Sequence, residues 1–168
     1  MGQAASDGPV VLGVQAGQVR DVVTVAAQIA ERFSVPLVCV TVDPALLSAG
    51  NRADGSEIIE PIDPDSADAR PTDLPDADRA VIDQIAAVHS AEVTVLTKVG
   101  DPGRALAAVA EEHDALMIVV GTQTGRRRIT EFFNGLVAAR LAHQQHRPVL
   151  VVPVDPVGFD DPLPWDAS

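Results

Sequence analysis

Short apolar runs alternate along this chain with longer stretches in which apolar residues recur every three or four positions. The runs are Pro9 to Val14, Leu37 to Val42, Glu92 to Val99, Ala115 to Val120 and Pro148 to Val152. Runs this brief, nearly continuous in Val, Leu and Ile, predict strands buried on both faces, as in a parallel sheet covered by helices. Between the first two runs, Val19, Val22, Val23, Ala26, Ile29, Ala30 and Phe33 fall on one broad helical face. Asp73 with Pro75 opens a second helix whose predicted inner stripe is Val81, Ile85 and Val88. Asp101 and Pro102 supply an N-cap and a first helical residue to a third, with Ala105, Leu106, Val109 and Ala110 facing inward. A fourth runs from Phe132 or Asn134 to about Gln145. Strands and helices in strict alternation, joined by right-handed crossovers, predict an α/β fold: an open, doubly wound parallel five-stranded sheet with helices on both faces.

One stretch breaks the alternation. Asp43 to Asp73 is rich in Asp, Pro, Ser and Ala, and its later part has only Ile58, Ile59 and Ile62 as large apolar residues. So little apolar surface does not offset the entropy of ordering it, and an acidic, largely irregular insertion over 43–75 is expected within one domain spanning 1–153. The isoleucines would tack it to the body. The remainder, 154–168, is a Pro/Asp-rich tail in which Phe159, Leu163 and Trp165 either dock on the body or a partner or stay exposed.

Composition narrows the core and the partners. The chain has 168 residues, 46% apolar but only 3% aromatic, so the core is built from Val, Ala, Leu and Ile. Cys39, the lone cysteine, lies inside an apolar run and reads as a small buried hydrophobe. No apolar run approaches membrane-spanning length and the start lacks a basic flank with an apolar stretch, so a soluble cytoplasmic protein is expected, with no membrane partner. The net charge of −12 is uneven: residues 43–78 carry ten acidic against two basic side chains, and 154–168 carry four against none. Binding to nucleic acid is disfavoured both by that charge and by the scarcity of aromatic stacking platforms.

Candidate chemistry gathers in Gly121 to Val137, the loop and helix following the fourth apolar run. Such a loop leaves the carboxyl edge of the sheet, where doubly wound folds bind ligands. Gly121, Gly125 and Gly135 permit close approach of a phosphate to backbone N–H groups, and a helix beginning near Asn134 would aim its free amides at the same place. The opposing reading is that glycines after strands serve sterics alone. Arg126, Arg127 and Arg128 add three planar forks suited to phosphate oxygens, or else a solvated face on an acidic protein. Gly100, Asp101 and Pro102 would flank a ligand from the other side, although Asp101 needs none to act as a helix cap. Gln15, ending the first run, can hydrogen-bond a base or ribose but cannot serve as a carboxylate. His89, His113, His143 and His146 complete no metal set, and neither a nucleophile elbow nor a Walker A sequence is present.

These motifs together resemble the universal stress protein (UspA-like) family, in particular its actinobacterial members, over nearly the whole chain apart from the insertion and tail. The resemblance rests on VVLGV in the first run, VGDP at Val99 to Pro102, VVGTQTG at Val119 to Gly125, and FFNGLVAARLAHQQHRPVLVVP at Phe132 to Pro153. It implies a Rossmann-like domain with strand order 3-2-1-4-5, a homodimer formed through the last strand (148–152), and ATP binding in a subset of members. Members that bind ATP carry Gly, two residues, Gly, nine residues, Gly, then Ser or Thr. Here Gly121 matches, Thr124 stands at the second glycine position with Gly125 one residue late, and Gly135 keeps its spacing. Leu136 replaces the hydroxyl residue and Gln15 the Asp common at the end of the first strand. A lost polar contact of that kind costs about 1 to 3 kcal/mol of affinity.

The leading functional reading is therefore a non-catalytic stress-response regulator that binds an adenine nucleotide, ATP, with Mg²⁺ only if ATP binds. Its phosphates would lie near Gly121, Thr122, Thr124, Gly125, Gly135 and the amides of Asn134, Gly135, Leu136 and Val137. The base and ribose would lie near Gln15, Val40, Thr41 and Gly100 to Pro102. The alternative is a dimeric scaffold without nucleotide, acting through protein contacts made by the insertion and tail. A slow ATPase or phosphotransferase ranks third, because no placed Lys, paired metal carboxylates or general base supports one.

Overall fold

A computed structural model describes residues 7–63, 65, 70–122, 131–156 and 158–162, excluding the side chains of 131–136. Eleven elements follow in order: β1 Val10–Gly13, α1 Val19–Phe33, β2 Leu37–Asp43, β3 Leu46–Asn51, β4 Glu57–Pro61, α2 Asp76–Val88, β5 Val93–Val99, α3 Pro102–Glu112, β6 Met117–Gly121, α4 Glu131–Gln144 and β7 Val149–Val152. Five strands form one sheet in the order β5-β2-β1-β6-β7, every neighbouring pair parallel. Counted among sheet strands alone, that is the expected order 3-2-1-4-5.

Strand side chains alternate between two cores, as the period of two requires. Val10, Leu12, Leu37, Cys39 and Val119 join Val22, Val23, Ala26 of α1 and Ile82, Ile85 of α2 on one face. Val11, Val38, Val40, Ile118 and Val120 join Leu106, Val109, Ala110 of α3 and Val137, Leu141 of α4 on the other. Both faces are thus dry, which is why the strands read as unbroken apolar runs. Burial, with a lesser contribution from the charge of Asp83, pushes the Cys39 thiol up to about 12, so it packs as a hydrophobe.

Three expectations need correction. Phe33 and Val88 lie at the C-terminal ends of their helices and are exposed, whereas Ala27, Ile82 and Ala86 are buried. A helical stripe covers the core only as far as the sheet beneath it extends. Secondly, 43–75 contains an antiparallel hairpin, β3 paired with β4, where irregular chain was expected. Its Leu46 and the later Leu74 are buried, and the turn is closed by Asp54 Oδ1, which accepts from Ser56 N at 2.9 Å and Ser56 Oγ at 2.6 Å. Local hydrogen bonds and two anchors achieve what apolar area alone would not. Thirdly, α4 begins at Glu131, ahead of Asn134. Phe159 of the tail is fully exposed, and Leu163 and Trp165 lie outside the described residues.

Candidate functional site

Sheet order reverses between β1 and β6, since β1 leads to β2 on one side while β6 leads to β7 on the other. Loops leaving those two strands diverge to opposite faces and open a crevice at the carboxyl edge. A cleft lies there, lined by Gly13, Val14, Gln15, Gln18, Val22, Val40, Val42, Pro102, Leu106, Val120, Gly121 and Val137. It encloses about 570 Å³ of atom-free space, counted out into its open mouth, though the centre of a water-sized sphere ranges over only about 60 Å³. Its walls are mostly valine and leucine, and its polar side chains are the amides Gln15 and Gln18. Among the described residues, no carboxylate, amine, guanidinium or imidazole lines it. Such a hollow suits a flat uncharged ring whose edge is met by amide and backbone groups.

Five sequence candidates line this cleft together: Gln15, Val40, Pro102, Gly121 and Val137. Thr41 does not. It alternates with Val40 along β2 and belongs to the opposite face of the sheet, and it is itself buried. Gly100 adopts φ +94°, a left-handed turn that a side chain disfavours, and donates its amide to Asp43 O at 3.0 Å. Asp101 caps α3, with Oδ1 accepting from Arg104 N at 2.9 Å, while Oδ2 accepts from Arg140 Nη1 at 2.6 Å. Its carboxylate therefore joins α3 to α4.

The loop after β6 likewise has internal duties. A Cβ on Gly121 would stand 2.8 Å from Val22 Cγ2 and 3.2 Å from Val154 Cγ2, so this glycine lets α1 and the segment after β7 approach the strand end. Thr122 donates its amide to Val152 O at 2.8 Å, and its hydroxyl oxygen accepts from Val154 N at 2.9 Å. Both groups fasten the exit of β7. A helix beginning at Glu131 leaves its unbonded amides in its first turn, so those of Gly135 to Val137 fall within the helical ladder. Thr124, Gly125, Arg126, Arg127 and Arg128 lie outside the described residues, as do the side chains of Asn134 and Leu136.

Sequence reasoning missed Val14, Gln18, Val22, Val42, Leu106 and Val120 as cleft residues. Strand parity could have supplied Val42, two positions beyond Val40 on the same face. The role of Gln18 carried no such signal.

An open parallel sheet with a cleft at its switch point defines a doubly wound α/β domain. The family model described as Universal stress protein family matches residues 9–153, and the chain belongs to that family. Similar solved structures include the universal stress protein from Archaeoglobus fulgidus in complex with dAMP, 19% identical with a TM-score of 0.52 over 86% of this chain and 97% of that one. A universal stress protein in complex with cAMP is 23% identical with a TM-score of 0.56, covering 88% and 98%. UspA from Lactobacillus plantarum is 20% identical with a TM-score of 0.54, covering 86% and 97%. At these identities the likeness is one of fold. No curated protein matches the chain. No helix among the described residues is long and apolar enough to cross a membrane.

Proposed function

We propose that this protein binds an adenine nucleotide in the switch-point cleft as a non-catalytic stress-response regulator of cytoplasmic location. The observation that carries this reading is the cleft itself: apolar walls at Val40, Val42, Leu106 and Val120 with the amides Gln15 and Gln18 at its rim. The ring is assigned to the cleft between β1 and β2, and for the phosphates the sequence offers Gly125 and Arg126 to Arg128. ATP is the nucleotide of this reading, with Mg²⁺ only if ATP binds. The relatives solved with dAMP and cAMP support the adenine part of this reading.

A second reading is favoured by a specific observation. Thr122 and Asp101 have their polar groups engaged internally, while the edge strand β7 exposes Leu150 and Val151. An apolar sheet edge requires a cover. A homodimer paired through 148–152 supplies one, and a scaffold acting through that dimer and through contacts of the insertion and tail needs no nucleotide.

Nucleotide extracted from freshly purified protein, together with calorimetric titration of ATP, ADP, AMP and cAMP with and without Mg²⁺, separates the two. An adenine nucleotide in the extract, or saturable heat on titration, is the expected result. Absence of both at millimolar ligand overturns nucleotide binding and leaves the scaffold. Sedimentation at tens of micromolar tests the dimer, for which a monomer mass is the adverse outcome.

A further inference from the structure

The β3–β4 hairpin is held out from the sheet by a fixed neck. Asp43 Oδ1 accepts from Ala45 N and Oδ2 from Thr72 N, each at 3.0 Å, so one carboxylate joins the outgoing and returning chain. Ile62 N donates to Ala45 O at 3.0 Å, and the Thr97 hydroxyl of β5 donates to Asp73 Oδ1 at 2.6 Å. Leu46 and Leu74 are buried beneath this neck. An isolated two-stranded ribbon is marginal in water, and these anchors keep its register defined.

Register decides what each face shows. Leu46 pairs with Pro61 and Ser48 with Ile59, and burial of Leu46 turns that face toward the body. Leu47 pairs with Glu60 on the opposite face, where Ile58 and Ile62 stand two residues to either side of Glu60. Leu47 is 48% exposed and Ile62 57%, with Ile58 half-buried. The outward face is thus a carboxylate, Glu60, framed by three aliphatic side chains, while exposed Glu57, three residues before it, alternates to the other face.

We propose that this face docks a protein partner through a cationic side chain set between aliphatic ones. Covering the aliphatic frame strips water from Glu60, and a carboxylate so dehydrated requires an opposite charge from whatever covers it. A second copy of the hairpin would bring Glu60 against another acidic patch, a repulsive pairing. Within 43–78 the ten acidic residues against two basic ones likewise repel nucleic acid and anionic lipid. The complementary surface is a Lys or Arg flanked by Leu, Ile or Val.

Panning a display library of random short peptides against the full chain tests this, with Leu47→Ser/Ile62→Ser and Glu60→Gln as counter-targets of unchanged thermal midpoint. Enriched peptides should carry Lys or Arg beside aliphatic residues and bind either variant about tenfold more weakly. Three results overturn the proposal: no enrichment, enriched peptides that bind the variants equally well, or a solution mass that falls on substitution of Leu47 and Ile62. The second would mark general attraction to an acidic chain, and the third a copy of the chain as occupant. Glu60→Gln, which keeps shape and removes charge, guards against a double variant that fails to fold.

Discussion

At the amino ends of β6 and β7, Arg147 closes the structure; at the carboxyl ends of β1 and β6, glycines hold it open. The Arg147 side chain is only 8% exposed and donates to Glu111 Oε2 at 2.6 Å, Asp114 Oδ1 at 3.2 Å and Ala115 O at 3.0 Å. Gln145 braces the same turn, donating to Leu141 O and Arg147 O and accepting from Arg147 N. Across the sheet, Gly13 and Gly121 withdraw side chains from the cleft, and the neighbouring polar groups of Asp101 and Thr122 turn away into local bonds. One end uses polar side chains to join elements. The other uses their absence to leave room, so stability and ligand access are assigned to opposite ends of one sheet.

The largest effect should come from closing the open end. Gly121→Val puts a branched side chain where even a Cβ meets Val22 and Val154, and overpacking of this kind costs about 2 to 3 kcal/mol, read as a lowered denaturation midpoint with wild-type slope. Next is opening the closed end. Arg147→Ala leaves Ala115 O without this donor and removes a side chain only 8% exposed, a loss of about 2 kcal/mol with nucleotide affinity unchanged.

A pH series sharpens this arm, because the hydrogen bond from Arg147 holds the Glu111 carboxyl below its ordinary 4.5. A depressed carboxyl contributes its stability above the unfolded-state value and loses it as pH falls through the folded one. Thermal midpoints of wild type and Glu111→Gln should therefore differ at neutral pH and converge in acid. The smallest effect is expected for Asp101→Ala, about 1 kcal/mol from the lost cap, again without change in nucleotide affinity. A drop in affinity there would show that Asp101 faces the ligand after all.

Sheet order, helix number and the carboxyl-edge location of the cleft were legible because apolar runs and helical stripes report burial directly. Val40, Gln15 and Gly121 were found on that basis. The internal partners of Thr122 and Asp101 went unforeseen because sequence places a polar residue at a strand or helix end without saying which neighbour claims it. Val154 and Arg140, their partners, arrive from elements remote along the chain. The hairpin escaped because its strands mix apolar with small and charged residues. The pair Asp54–Gly55 was the signal present, since Gly55 takes φ +85° and the Asp side chain bonds back to Ser56. Arg147 carried no periodic mark at all, and only folding brings α3 beneath it.

The depth of Cys39 bears on how this chain meets oxidants. Peroxide and disulfides react with thiolates, and a sulfur held protonated up to about 12 presents almost none at physiological pH. Oxidants therefore cannot be registered first-hand through cysteine in the folded chain.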